Sequence, residues 1–182
     1  MLPQIKQLID QASLARREHR LTDALSDLTE AVAICRRTGV RNELILSLKA
    51  LGQIERDLGR NQIAHQMYEE AVALAREEGE PLTLAHTIRH LGDIHRDAKR
   101  LTQAEVCYLE ALSLYRGHMD TKKLDLANAI RPLAILKEAT GNFQEATRLW
   151  REAKELYEAA DIAQAVAECT SRIAGLTTQS DV

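Results

Sequence analysis

Residues 90–116 read HLGDIHRDAKRLTQAEVCYLEALSLYR, and residues 50–76 read ALGQIERDLGRNQIAHQMYEEAVALAR. With Leu91 laid on Leu51 and no gap, Leu, Gly, Ile, Arg, Asp, Arg, Ala, Tyr, Glu, Ala, Leu and Arg coincide in both copies. The pattern runs wider than these two. Ala24, Ala64, Ala104 and Ala146 recur, and seven residues after each come Ala31, Ala71, Ala111 and Ala153. Three further on stand Ile34, Leu74, Leu114 and Leu156, and between the alanines sits a large residue, Leu28, Tyr68, Tyr108 or Trp150. A period of 40–42 residues over nearly the whole chain is the mark of stacked supersecondary units.

Each unit reads as two helices. Leu44, Leu48, Leu51, Ile54 and Leu58 step by three and four, as do Leu84, Ile88, Leu91 and Ile94, and Leu126, Ile130, Leu133 and Leu136. Such steps place one apolar stripe on a helix. Gly59 and Gly141 stand where this first helix stops, because glycine accepts the left-handed backbone of a helix end; His19 and Lys99 take that place in the other copies. In the second helix, alanines seven apart let two backbones approach, and the large residue between them fills the gap to the next unit. Gly52 and Gly92, inside first helices, serve close packing.

Composition agrees. Of 182 residues, 45% are apolar, 28% charged and 3% aromatic, with few Pro and Gly, and no stretch alternates like a strand. Net charge is −3 and the pI about 6.1, which gives no general pull toward nucleic acid or an anionic membrane. The first residues, MLPQIKQLIDQASLARR, carry charges too often for a signal peptide or a membrane span. Cys35, Cys107 and Cys169 are sparse and odd in number, which suits buried thiols in a reducing cytosol.

The motif residues resemble the tetratricopeptide repeat (TPR), with Leu-Gly in the first helix, Gly at the turn, then Ala, an aromatic and Ala. The matches are Leu51, Gly52, Gly59, Ala64, Tyr68 and Ala71; Leu91, Gly92, Ala104, Tyr108 and Ala111; and Leu133, Ala134, Gly141, Ala146, Trp150 and Ala153. In the first copy Gln11 and Ala12 replace Leu-Gly, and Glu55 and His95 stand where the family has a first-helix aromatic. The period exceeds the family's usual value of about 34 and is similar to the long-helix variety of kinesin light chains. The resemblance implies an all-α, right-handed superhelical solenoid of antiparallel helix pairs in a single domain, 1–182. Its four repeats are expected at about 2–38, 41–78, 81–117 and 122–160, with a capping helix at 161–176 and a frayed end at TTQSDV.

The resemblance also implies that first helices line a concave groove. The stripe facing it reads Lys6, Ser13, Arg16 and Arg17; Lys49, Gln53 and Arg56; His86, Arg89, Asp93 and Arg96; and Asn128, Arg131, Ile135 and Glu138. Cations recur at two places, Lys49, Arg89 and Arg131 at one and Arg16, Arg56 and Arg96 at the other. Acids gather in second helices and turns, as at Glu69, Glu70, Glu77, Glu78, Glu145, Glu152, Glu155 and Glu158. Arginine's fork of donors fits a carboxylate. The groove is therefore expected to bind a carboxylate-bearing peptide or protein segment, with Asn128 holding a backbone amide as Asn does in peptide-clamping family members. A second reading is a solvated ladder, since Arg89, Asp93 and Arg96 are spaced to pair along one helix.

Pro132 lies well inside the fourth first helix, where it removes a hydrogen bond to the Asn128 carbonyl. It re-aims the groove, is a tolerated kink, or marks a helix that starts later. His86 and His90, four apart, face one way, but HTIRH lacks the glutamate of a zinc-protease motif. No nucleophile elbow, phosphate loop or Cys-x-x-Cys occurs. Cys107, beside Tyr108, is expected to be a small buried residue. These readings give a cytoplasmic interaction module with no catalysis, cofactor, metal, nucleic acid or membrane. A regulatory or chaperone-like subunit acting by self-association is the alternative, and an RNA-binding helical repeat a more distant one.

Overall fold

The computed structural model describes residues 1–179. Nine helices and no strand occur among them: α1 Leu2–Arg17, α2 Leu21–Thr38, α3 Arg41–Asp57, α4 Asn61–Glu78, α5 Pro81–Asp97, α6 Leu101–Gly117, α7 Lys123–Ala139, α8 Phe143–Glu158 and α9 Ala163–Gln179. The chain divides into two compact units, Met1–Ile94 and the remainder from His95, so α5 contributes to both.

In the first unit α1 packs on α2 and α3 on α4, with α2 also against α3. The alanine rows are what permit this. Ala24, Ala31, Ala64 and Ala71 are fully buried, and Leu28 and Tyr68 fill the spaces between them. The apolar stripes of the first helices meet these rows through Ile5, Ala12, Leu48 and Ile54. The second unit repeats the plan. There α7 packs on α8 and α8 on α9, and Tyr108 and Trp150 are fully enclosed beside Ala104, Ala111, Ala146 and Ala153.

The turn from first to second helix explains why glycine recurs there and why it is not required. Gly59 and Gly141 sit at φ 76° and 78°, and His19 and Lys99 adopt nearly the same backbone, φ 60° and 61°. A side chain in this region costs about 1–2 kcal/mol. The two non-glycine turns are held by amides that reach back, Arg20 to Ala15 O at 2.8 Å and Arg100 to His95 O at 2.9 Å. Asp161 takes the same conformation, φ 58°, so α9 begins at Ala163 rather than 161. At its other end α9 continues through Thr177 to Gln179, where fraying was expected; residues 180–182 lie outside the described ones. Pro132 is buried inside α7, which starts at Lys123, so a later helix start is ruled out.

Where the family has an aromatic, Glu55 is buried and pairs with Arg60 at 3.3 Å. Cys35 and Cys169 are buried, but Cys107 is half-exposed. One residue is about 100° of helix rotation, which carries Cys107 off the core stripe that encloses Tyr108. Among the described residues no helix is long and apolar enough to cross a membrane.

Candidate functional site

The first unit brings together Arg16, Lys49, Gln53, Arg56, His86, Arg89 and Asp93; Arg96, Asn128 and Arg131 belong to the second. Within the first unit one pocket of about 280 Å³ collects Arg16 from α1, Lys49 and Gln53 from α3, Tyr68 from α4, and His86 and His90 from α5. The helical period decides this, since Lys49 and Gln53 are one turn apart on α3, as are His86 and His90 on α5.

The two rows of cations behave differently. In the row of Arg16, Arg56 and Arg96 every member meets an acid. Arg16 Nε donates to Asp57 Oδ2 at 2.6 Å, Arg56 lies 3.9 Å from Asp93, and Arg96 donates to Asp97 at 3.2 Å. Gln53 donates to Asp57 as well, at 2.8 Å. In the row of Lys49, Arg89 and Arg131, Arg131 is gripped by both carboxylate oxygens of Glu168 on α9, at 2.9 and 2.8 Å. Lys49 and Arg89 make no ion pair with any described acid.

Lys49 is half-buried in this pocket. Loss of water, reinforced by the positive charge of Arg89, lowers its pKa to about 8. Arg89 donates to Nε2 of His90 at 2.8 Å. Nε2 is then an acceptor, so the neutral ring carries its proton on Nδ1, which lies 3.3 Å from Asp93 Oδ2. The ring of His90 stacks on Tyr68, with centroids 5.8 Å apart, and touches His86 at 4.7 Å. Burial and the surrounding cations hold His86 well below the usual imidazole range, and burial lowers His90 too, so both rings are neutral. His90 thus accepts from Arg89 on one side and lies beside the Asp93 carboxylate on the other. No group of three or more metal-ligating side chains occurs among the described residues.

In the second unit Asn128 and Arg131 line a pocket with Tyr157 and Glu168. The Asn128 side-chain oxygen accepts from the Tyr157 hydroxyl at 2.9 Å, so that oxygen already has a donor. Sequence reading missed this bond and the acids opposite Arg16 and Arg131. Their signal is an acid roughly one period downstream of each arginine, at Asp57, Asp93 and Glu168. The acids of the second helices play a matching part. Glu70 pairs with Arg36 at 2.6 Å, Glu152 with Arg116 at 2.6 Å, and Glu77 and Glu78 with Arg41. These acids therefore tie one helix to another.

Comparison with known proteins agrees with this architecture. A family model, MalT-like TPR region, matches residues 11–179. No curated protein matches the chain. Among solved structures, BtubC (BKLC) from P. vanneervenii superposes with a TM-score of 0.73 at 19% identity, covering 97% of this chain and 81% of that one. A Podosopora anserina kinesin-light-chain-type protein with nearly identical TPR-like repeats gives 0.72 at 15% identity, covering 97% and 96%. A point variant of that same protein gives 0.73 at 15% identity with the same coverage. At these identities the structures share the fold. With its paired helices, its recurring Ala–large–Ala core and a family match over nearly its whole length, the chain belongs to the MalT-like TPR family, with repeats like those of kinesin light chains.

Proposed function

We propose that this chain is a non-catalytic protein-interaction module whose first unit receives a carboxylate-bearing peptide or protein segment at Lys49 and Arg89. TPR folds generally mediate protein–protein interaction, and that is the coarse setting. The observation that carries the finer reading is that Lys49 and Arg89 make no ion pair while the cations at equivalent places do. Arg16, Arg56 and Arg131 are neutralised by Asp57, Asp93 and Glu168. The pairs at Arg16 and Arg131 are open to water and contribute only about 0.2–1 kcal/mol each. The charge of Arg89 adds to burial in weakening the protonation of Lys49, and neither makes an ion pair with a described acid. A carboxylate placed between them relieves that repulsion and accepts charge-assisted hydrogen bonds in a partly dry site. Gln53, His86 and His90 line the same pocket and supply neutral polar edges for a peptide backbone.

Direct binding tests this. A set of glutamate-rich peptides and their glutamine isosteres is titrated by fluorescence anisotropy against the full chain and against Lys49→Glu and Arg89→Glu. Acidic peptides should bind at least tenfold tighter than the isosteres. Each reversal should abolish that preference while the helical circular dichroism is kept. Equal binding of the two sets, or a preference that survives both reversals, sinks the reading.

A further inference from the structure

Tyr68 reaches the first unit's pocket from α4, and its ring crosses α3 at Gly52, where a side chain would collide with Cδ2 and Cε2. The residue is 2% exposed. Its ring stacks on His90, yet its hydroxyl makes no hydrogen bond with any described residue. Other enclosed rings differ, since the indole N–H of Trp150 donates to Glu138 and the Tyr157 hydroxyl to Asn128. A hydroxyl on so buried a residue is costly to leave without an acceptor. Burial raises its pKa, so it stays protonated and available as a donor.

We infer that the Tyr68 hydroxyl is the floor of a glutamate-selective subsite, donating a hydrogen bond to the side-chain carboxylate that Lys49 attracts. The inference rests on the reading of Lys49 as an acid-binding residue and adds the depth at which the acid is held. The pocket's lining supports it. Arg16 and Lys49 are its charged members, and among the described residues it includes no acid. Asp93 is 3.3 Å from Nδ1 of His90 and 3.9 Å from Arg56, which counters its charge. Leu46, 47% exposed, and half-buried Lys49 stand nearer the surface than Tyr68. A carboxylate that meets both the amine and the hydroxyl therefore sits below the rim. Glutamate, with one more methylene than aspartate, reaches that depth while its backbone stays at the surface. Glutamine has the same reach but brings no charge to Lys49. Hydrogen bonds to an ionised acceptor are the strong kind, so one neutral donor beside the amine adds appreciably to selectivity.

Fluorescence anisotropy on the full chain tests it, with peptides of one scaffold bearing Glu, Asp or Gln at the acidic positions. Wild type should prefer Glu over both Asp and Gln. Tyr68→Phe keeps the ring, its packing and its stacking, and removes only the donor. It should bind Glu peptides about tenfold more weakly, lose less for Gln peptides, and bring Glu down to the level of Asp. Because the hydroxyl has no partner among the described residues, the variant should melt no lower than wild type; circular dichroism checks its fold. If wild type shows no preference for Glu over Gln, the reading at Lys49 fails and this inference falls with it. If wild type prefers Glu over Gln and Tyr68→Phe binds Glu peptides as tightly, this inference alone is overturned. Asp peptides that bind wild type as tightly as Glu peptides put the acid at the rim and overturn it too. So does a lower Tm in Tyr68→Phe, which means that the hydroxyl is already satisfied in the free protein.

Discussion

Replacing Gly52 by alanine should destabilise the first unit, although the same change favours almost any other helix interior. Gly52 lies within α3 where that helix meets α4. A Cβ built there comes 2.9 Å from Tyr68 Cε2, 3.0 Å from Cδ2 and 3.4 Å from the Ala64 carbonyl oxygen. Real methyl contacts need roughly half an ångström more, so the tyrosine ring has to move. It has little room, since Tyr68 is 2% exposed and stacked on His90. Overpacking of this kind costs about 1–3 kcal/mol. The better helix propensity of alanine returns about 1 kcal/mol. The net expectation is a loss of about 1 kcal/mol, equivalent to about 4–8 °C in Tm for a unit of this size. Urea unfolding followed by ellipticity at 222 nm measures it. Gly175→Ala in α9 is the matched control, because nothing lies within 4 Å of its Cβ; it should stabilise by about 0.5–1 kcal/mol. Repeating Gly52→Ala in a Tyr68→Leu background should shrink the loss, as a direct contact requires. Stabilisation by Gly52→Ala, or the same loss in both backgrounds, would refute the packing argument.

Two other predictions concern the turns and the single tryptophan. His19→Gly and Lys99→Gly should each stabilise by about 0.5–1 kcal/mol, because both positions hold a left-handed backbone that glycine enters without strain; Gly59→Ala should move the other way, and thermal melts compare the three. Glu138 accepts from the indole N–H of buried Trp150 and from Arg172 at 3.0 Å. Glu138→Ala leaves that donor without its acceptor and should cost about 1–3 kcal/mol, read from the urea midpoint of Trp150 fluorescence. An unchanged midpoint would mean that water replaces the carboxylate at no loss.

Much of the fold is legible in the sequence, and particular residues show why. The period of Ala24, Ala64, Ala104 and Ala146 survives because each alanine is fully buried where two backbones nearly touch, and any larger side chain would force them apart. Glycine survives at 59 and 141 because the turn there demands positive φ. The placement of Lys99 and His19 at equivalent turns follows from the same alignment. Cys107 was misjudged because the period marks Tyr108 as core but says little about a neighbour one step around the helix.

The candidate site was legible only in outline. Two rows of cations could be drawn from helix periodicity, but not which members stay without an acid. Arg16 meets Asp57 and Arg131 meets Glu168 across stacked helices, about one repeat apart in sequence. Local sequence determined the helices, their apolar stripes and the repeat, since these follow from short-range stereochemistry and from burial of several kcal/mol per unit. Tertiary structure alone decided that Lys49 and Arg89 remain without acids while their neighbours are neutralised. Ion pairs worth about 1 kcal/mol or less, formed by long side chains reaching between helices, leave no periodic imprint strong enough to read in advance.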